Sequence, residues 1–76
     1  MKLKLTQHFQ DMMQLRGINL DHVKSAMKLA DSTKHTFGGR IVARKTVDGK
    51  TIEVIYSKES FKDKSNEYLV ITAYYI

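Results

Sequence analysis

RIVARKTVDGKTIEVIY, residues 40–56, is the stretch that decides the fold, because two apolar-rich runs in it flank Asp48-Gly49. Such an Asp-Gly pair is the strongest short-range signal for a β-hairpin, since both central residues of a type I′ turn need a positive φ. Counting outward from the turn predicts the pairing register. The predicted pairs are Val47–Lys50, Thr46–Thr51, Lys45–Ile52, Arg44–Glu53, Ala43–Val54, Val42–Ile55, Ile41–Tyr56 and Arg40–Ser57.

This register sorts the hairpin into an apolar face and a polar face, because successive side chains of a strand point to opposite sides. The apolar face is predicted to join the core and carries Ile41, Ala43, Val47, Ile52, Val54 and Tyr56. The polar face is predicted to be exposed and carries Arg40, Arg44, Thr46, Thr51, Glu53 and Ser57. The first face needs a cover, and the cations of the second suggest a polyanionic partner.

The chain is predicted to be one domain over residues 1–76. A chain of this size buries only about 60% of its unfolded surface, so a homodimer or a tight protein partner would add useful stability. Cysteine is absent, which excludes disulfides and thiolate zinc sites. No apolar run approaches the ~20 residues of a membrane span, and the opening MKLKL lacks the apolar segment of a signal peptide. We therefore expect a cytoplasmic protein.

The charge balance is basic. Lys and Arg number 13 against 8 Asp and Glu, which gives a net charge of +5. A basic protein of this kind attracts polyanions, so nucleic acid or an acidic protein is the expected partner. Net charge bears on association and carries no information about the fold.

Cap residues predict two helices near the start of the chain. The first is predicted over residues 7–16, with Thr6 as its N-cap and Gly17 as its stop signal. The second begins after Asn19, another residue that is favoured at the N-cap. Two helices with so short a connection form an αα-hairpin, here over about residues 6–30.

The remainder, about residues 32–76, predicts a sheet. A short strand is expected over residues 32–37, a polar loop over residues 57–66, and a buried strand over the apolar residues 67–76. Residues 2–5 are either a short edge strand or an extended lead-in. The predicted fold is α+β, with an N-terminal αα-hairpin packed on one face of a mainly antiparallel four-stranded sheet in the order α-α-β-β-β-β.

Several stretches, taken in order, carry a resemblance to a known family. The run TQHFQDMMQLRGI at residues 6–18 contains His8 and ends in Arg-Gly-Ile, and the second predicted helix follows it. GRIVA at residues 39–43, the Asp-Gly turn, VIY at residues 54–56 and VITAY at residues 70–74 follow. Together they resemble a family of small domains similar to the RelE/ParE-superfamily toxins of toxin–antitoxin modules. The resemblance implies a RelE-like fold and a toxin that cleaves RNA and is neutralised by an acidic antitoxin protein.

RNA cleavage needs the 2′-hydroxyl deprotonated, the leaving 5′-oxygen protonated and the charge on the phosphorus centre stabilised. Histidine suits the two proton transfers near neutral pH. Arginine and lysine suit the third task, and tyrosine can stack on a base or donate its hydroxyl. The predicted catalytic residues are His8, Arg40 and Tyr74, and the predicted RNA-binding residues are Arg16, Arg44 and Lys45. No cofactor is expected, and the three histidines lack the spacing of metal ligands.

Each candidate also has an ordinary structural interpretation. Arg44 opposite Glu53 is consistent with a simple cross-strand ion pair, and Arg16 suits the C-terminus of a helix. Arg40 faces a serine in the predicted register, which makes it the better phosphate ligand. By the two-residue period Tyr74 shares a strand side with Tyr68, and the sequence does not decide which face that side occupies.

The first helix departs from the resembled family at Met12, where the family commonly has an arginine. This departure favours a domain that binds RNA or the ribosome on the same fold without cleaving. A third possibility is a protein-interaction domain whose basic face docks an acidic partner. A helix-turn-helix DNA reader is less favoured, because the second helix offers DNA only Lys24 and Lys28 and has no Arg, Asn or Gln to read base edges.

Overall fold

The structure is a computed structural model that describes residues 2–61 and 64–76. In chain order the elements are β1 (Lys2–Leu5), α1 (Gln7–Arg16), α2 (Leu20–Lys28), β2 (Ser32–His35), β3 (Arg40–Val47), β4 (Lys50–Phe61) and β5 (Lys64–Tyr75). A 3-10 turn at Phe37–Gly39 joins β2 to β3. The strands form one sheet in the order β1-β5-β4-β3-β2, with β1 parallel to β5 and all other neighbours antiparallel.

The prediction of a four-stranded, mainly antiparallel sheet is wrong, because β1 adds a fifth strand that runs parallel to β5. Leu3 and Leu5 pack against the core, whereas Lys2 and Lys4 are exposed. This alternation is what a half-buried edge strand requires. The element order is therefore β-α-α-β-β-β-β, and the sheet begins at residue 2 instead of at about residue 32.

The predicted loop over residues 57–66 is also replaced by strand in its described part. β4 continues to Phe61 and β5 begins at Lys64, while residues 62 and 63 lie outside the described residues. A ladder is built from backbone hydrogen bonds, so a run of polar side chains does not end it where the two strands can still pair. The polar composition of residues 57–66 was therefore not sufficient to predict a loop.

The register of the central hairpin is confirmed at all eight predicted pairs, from Val47–Lys50 to Arg40–Ser57. The turn has the expected geometry, because Asp48 and Gly49 both have positive φ, at 52° and 77°. The confirmed register therefore determines which side chains of β3 and β4 lie on each face of the sheet.

Both helices begin where their caps predict. The Thr6 hydroxyl accepts the Phe9 amide proton at 3.0 Å, and the Asn19 side chain accepts the Asp21 amide proton at 2.8 Å. Gly17 ends α1 in the left-handed conformation at φ 62°. The second helix ends at residue 28, two residues before the predicted end. Among the described residues, no helix has the length and apolar character needed to cross a membrane.

The two helices pack on one face of the sheet and form the core with it. The largest fully buried side chains are Phe9 and Val23 from the helices and Ile52, Val54 and Val70 from the sheet. Burying an aliphatic or aromatic side chain of this size contributes about 1.5–3 kcal/mol. The opposite face, called here the open face, is not covered by any element of residues 2–61 and 64–76.

Candidate functional site

Three polar side chains from neighbouring strands meet at the middle of the open face. Arg44 on β3 is opposite Glu53 on β4, and Glu53 is in turn opposite Tyr74 on β5. The Arg44 Nε donates to the Glu53 Oε1 at 2.6 Å, and the Tyr74 hydroxyl donates to the Glu53 Oε2. We call these three residues the Glu53 centre.

The Glu53 carboxylate is unusually well enclosed for an acid on an uncovered face. Only 9% of its side chain is exposed, whereas 56% of the Arg44 side chain is exposed. A buried carboxylate is tolerated when it is paired and hydrogen-bonded, and each of its oxygens has a donor here. The prediction that Glu53 is an exposed residue is therefore wrong. The side chains of Arg44 and Tyr74, which bond to its two oxygens, enclose the Glu53 carboxylate.

Electrostatics fix the protonation states of this centre. The hydrogen bond from Tyr74, then that from Arg44, and also the charge of Lys34 lower the pKa of Glu53 below its ordinary value. The same hydrogen bond to Glu53, together with burial, raises the pKa of Tyr74 above its ordinary value. At neutral pH Glu53 is thus an anion and Tyr74 keeps its proton.

A depression of about 250 Å³ adjoins the centre. Its wall is formed by residues of β2, β3 and β4, namely Ser32, Thr33, Lys34, Val42, Arg44 and Glu53. Lys34 is exposed and brings a second cation beside Arg44. Arg44 uses only its Nε in the hydrogen bonds recorded for the described residues. Its terminal nitrogens are therefore available to an anion that enters the depression.

Of the six predicted site residues, the structure brings together Arg44 and Tyr74, with Arg16 close by. The Arg16 Nη1 donates to the backbone carbonyl of Ala73 at 3.1 Å. Its charge acts on Tyr74 and lowers the pKa of that hydroxyl, a smaller effect than the rise that Glu53 and burial cause. Arg16 thus contributes a cation next to the centre, from the end of α1.

The other three predicted residues lie apart from this group. Lys45 is opposite Ile52 on the helix-covered side, and its Nζ is 3.3 Å from Asp31 Oδ1. Arg40 is on the open-face side of β3, four residues or about 13 Å along the strand from Arg44. His8 is exposed in the first turn of α1, and no hydrogen bond or ion pair of the described residues joins it to the centre. Catalytic roles for His8 and Arg40 stay predictions.

Sequence reasoning missed Glu53 and Lys34 as members of a site. The signal for Glu53 was present, because the confirmed hairpin register already set it directly opposite Arg44. The signal for Lys34 was weaker and depends on the pairing of β2 with β3, in which Lys34 faces Val42. The pairing of β5 with β4 could not be predicted from the sequence, so Tyr74 could not be assigned to the same cluster as Arg44 and Glu53.

Comparison with known proteins gives a family and no activity. The model of a family described as a domain of unknown function, DUF4258, matches residues 5–75. The search of the curated proteins and the search of the solved structures each found no match. The family description assigns no chemistry, so the similarity to RelE/ParE toxins stays a prediction. Because the match spans nearly the whole sequence, this chain belongs to the DUF4258 family.

Proposed function

We propose that this chain is a metal-independent endoribonuclease of the toxin type, with the Glu53 centre as its site. One observation carries the proposal, namely the enclosed Glu53 carboxylate held between the Arg44 guanidinium and the Tyr74 hydroxyl. The pKa of Glu53 is lowered and that of Tyr74 is raised. At neutral pH the carboxylate is therefore unprotonated and the phenol keeps its proton, which are the states that a general base and a general acid need.

The proposed reaction uses each member of the centre once. The Glu53 carboxylate accepts the proton of a ribose 2′-hydroxyl, whose oxygen attacks the adjacent phosphorus. Tyr74 donates its proton to the leaving 5′-oxygen as the bond from phosphorus to that oxygen breaks. The terminal nitrogens of Arg44 stabilise the charge that develops on the phosphoryl oxygens. The products are a 2′,3′-cyclic phosphate and a free 5′-hydroxyl.

The surroundings of the centre support RNA as the ligand. Lys34 and Arg44 line the depression, and Arg16 at the end of α1 is near enough for its charge to act on Tyr74. Cations in this arrangement can contact successive phosphates of a single strand, and such contacts make binding weaken as salt rises. The same cations would attract the acidic antitoxin that the resemblance implies, and a protein docked on the open face would block RNA.

The test is cleavage of a labelled single-stranded RNA by the purified protein in EDTA, with and without ribosomes. Cleavage with 2′,3′-cyclic phosphate ends is expected, and an RNA of the same sequence with 2′-deoxyribose should bind uncut. Glu53→Gln and Tyr74→Phe should each lower the rate by about 10²-fold or more, the usual contribution of an acid or base. Arg44→Ala should lower both binding and rate. Lys24→Ala, which removes an exposed cation on α2, is the matched control.

Two results would separate the proposal from its alternative. Full cleavage by Glu53→Gln would remove the centre from the reaction. Binding that depends on Arg44, with no cleavage by the wild type under any of these conditions, would identify a non-catalytic RNA-binding domain. The alternative is favoured by one feature of the centre, because both Glu53 oxygens are already occupied by protein donors.

A further inference from the structure

A second hydrogen-bonded group lies on the helix side of the sheet and includes none of the predicted site residues. His22 of α2 lies between Tyr75 of β5 and Asp48 of the hairpin turn. Its Nδ1 is 2.9 Å from the Tyr75 hydroxyl, and its Nε2 is 3.1 Å from Asp48 Oδ2. The backbone amide of Asn19 donates to the same Tyr75 hydroxyl at 3.1 Å. Three segments of the chain, namely the start of α2, the end of β5 and the hairpin turn, thus meet at this group.

The donors and acceptors of this group fix a direction for its protons. The Asn19 amide can only donate, so the Tyr75 oxygen accepts from it and has its own proton to donate to His22 Nδ1. The other ring nitrogen then carries a proton, which it donates to the Asp48 carboxylate. Every polar group in the chain of contacts is satisfied in this tautomer, from the phenol through the imidazole to the acid.

Two sources of positive potential lie near the Tyr75 side chain. The Asn19 amide belongs to the N-terminus of α2, where the helix macrodipole is positive. The Lys50 ammonium lies 5.2 Å from the centre of the Tyr75 ring. His22 is well shielded from water, with 13% of its side chain exposed, and Asp48 faces solvent beside it at 82%. An imidazolium that formed on His22 would therefore be paired at once with a carboxylate.

These features correspond to the parts of an activated nucleophile. Such a nucleophile is hydrogen-bonded to a base, and an acid orients that base. A further donor points at the nucleophilic oxygen. We infer that Tyr75 is a nucleophile for phosphoryl groups, with His22 as its base and Asp48 as a positioning residue. A phosphoryl group is the favoured electrophile because Lys50 and the N-terminus of α2 both attract anions.

The proposed step is balanced within the protein and its substrate. The Tyr75 oxygen attacks phosphorus, a new O–P bond forms, and the bond from phosphorus to the leaving oxygen breaks. The tyrosine proton moves to His22 Nδ1 and from there to the leaving oxygen. The site is separate from the Glu53 centre, because Tyr74 and Tyr75 are adjacent and point to opposite faces of the sheet.

Bis(p-nitrophenyl) phosphate is a suitable probe, since one p-nitrophenolate is released for each tyrosine that is phosphorylated. Mass spectrometry of the digested protein should locate the adduct on Tyr75. The reaction there should be at least about 10²-fold faster than at Tyr68 of the same molecule, whose hydroxyl has no base beside it in the described structure. Tyr75→Phe and His22→Ala should each reduce the release to the background rate of a tyrosine without a base, such as Tyr68. Tyr68→Phe is the control and should react like wild type.

Asp48→Asn tests the positioning role without disturbing the turn, because asparagine tolerates the positive φ of this residue. The variant should keep its thermal midpoint and lose part of the Tyr75 reactivity. Ring ¹⁵N shifts should report the Nε2–H tautomer of His22 in the wild type and a mixture of tautomers in the variant. If Tyr75 reacts no faster than Tyr68, or reacts equally fast in folded His22→Ala, the group is only a structural link between α2 and the turn.

Discussion

Replacing Tyr74 by phenylalanine tests the energetics of the Glu53 centre without changing its shape. The substitution removes the hydroxyl that donates to Glu53 Oε2 and leaves that oxygen of an enclosed anion without a protein donor. A hydrogen bond to a charged group contributes about 1.5–3 kcal/mol when it is buried. Tyr74 is only half-buried, so water compensates in part and we expect a loss of about 1–2 kcal/mol. For a domain of this size that loss lowers the melting temperature by about 5–15 °C.

The loss of stability caused by Tyr74→Phe should become smaller as the pH falls. The folded pKa of Glu53 lies below its ordinary value of 4.5, and the hydrogen bond from Tyr74 is the largest cause. A depressed pKa contributes stability that is fully present above the unfolded pKa and is lost as pH falls through the folded pKa. Tyr74→Phe moves the folded pKa of Glu53 back toward 4.5, so the difference from wild type should be full at neutral pH and should shrink below about pH 4.5.

Urea unfolding at a series of pH values measures this difference directly. Tyr68→Phe is the matched control, because it removes a hydroxyl for which the described residues show no hydrogen bond and keeps the ring that packs edge-on against Tyr56. The reasoning is refuted if Tyr74→Phe costs no more than Tyr68→Phe at neutral pH. It is equally refuted if the cost of Tyr74→Phe stays constant from neutral pH into acid.

Three further predictions address the turn, the earlier site assignments and the first helix. Gly49→Ala should lower the free energy of unfolding by about 1 kcal/mol or more, because φ 77° at this residue strains any side chain; chemical denaturation measures it. Induced expression of the chain should slow growth, and if His8 and Arg40 act in catalysis, His8→Ala and Arg40→Ala should each relieve the effect in a growth assay with the proteins still folded. Met12→Arg restores the residue common in the resembled toxins and should strengthen growth inhibition; a harmless wild type with a toxic Met12→Arg would identify a relative that has lost its activity.

The central hairpin could be predicted completely, because local chemistry determines it. The need for positive φ at two adjacent residues places the turn at Asp48-Gly49, and the period of two then fixes each pair. The helix starts at Thr6 and Asn19 were predictable for the same reason, since a cap is a contact between residues two or three apart. Strand β1, the additional strand of the sheet, was harder to predict. Lys2–Leu5 pairs with residues more than 60 positions away, and nothing within those four residues selects that partner.

The candidate site depends on an irregularity that sequence periodicity cannot reveal. Strict alternation along β5 would put Val70 and Ala73 on opposite faces, because they are three residues apart. Both are nevertheless fully buried. The register of β5 against β4 shifts between Ile55 and Tyr56, so that Ile55 faces Thr72 while Tyr56 faces Val70.

The residue skipped in this shift is Ile71, and its insertion as a β-bulge reverses the faces of all later residues of the strand. Tyr68 therefore packs toward the core, and the prediction that Tyr74 shares its side is wrong. The bulge directs Tyr74 to the open face opposite Glu53 and leaves Tyr75 on the helix side beside His22. Without the extra residue, Ala73 would face Glu53 and neither tyrosine would reach its present partner. Both proposed sites thus depend on one inserted residue in the last strand.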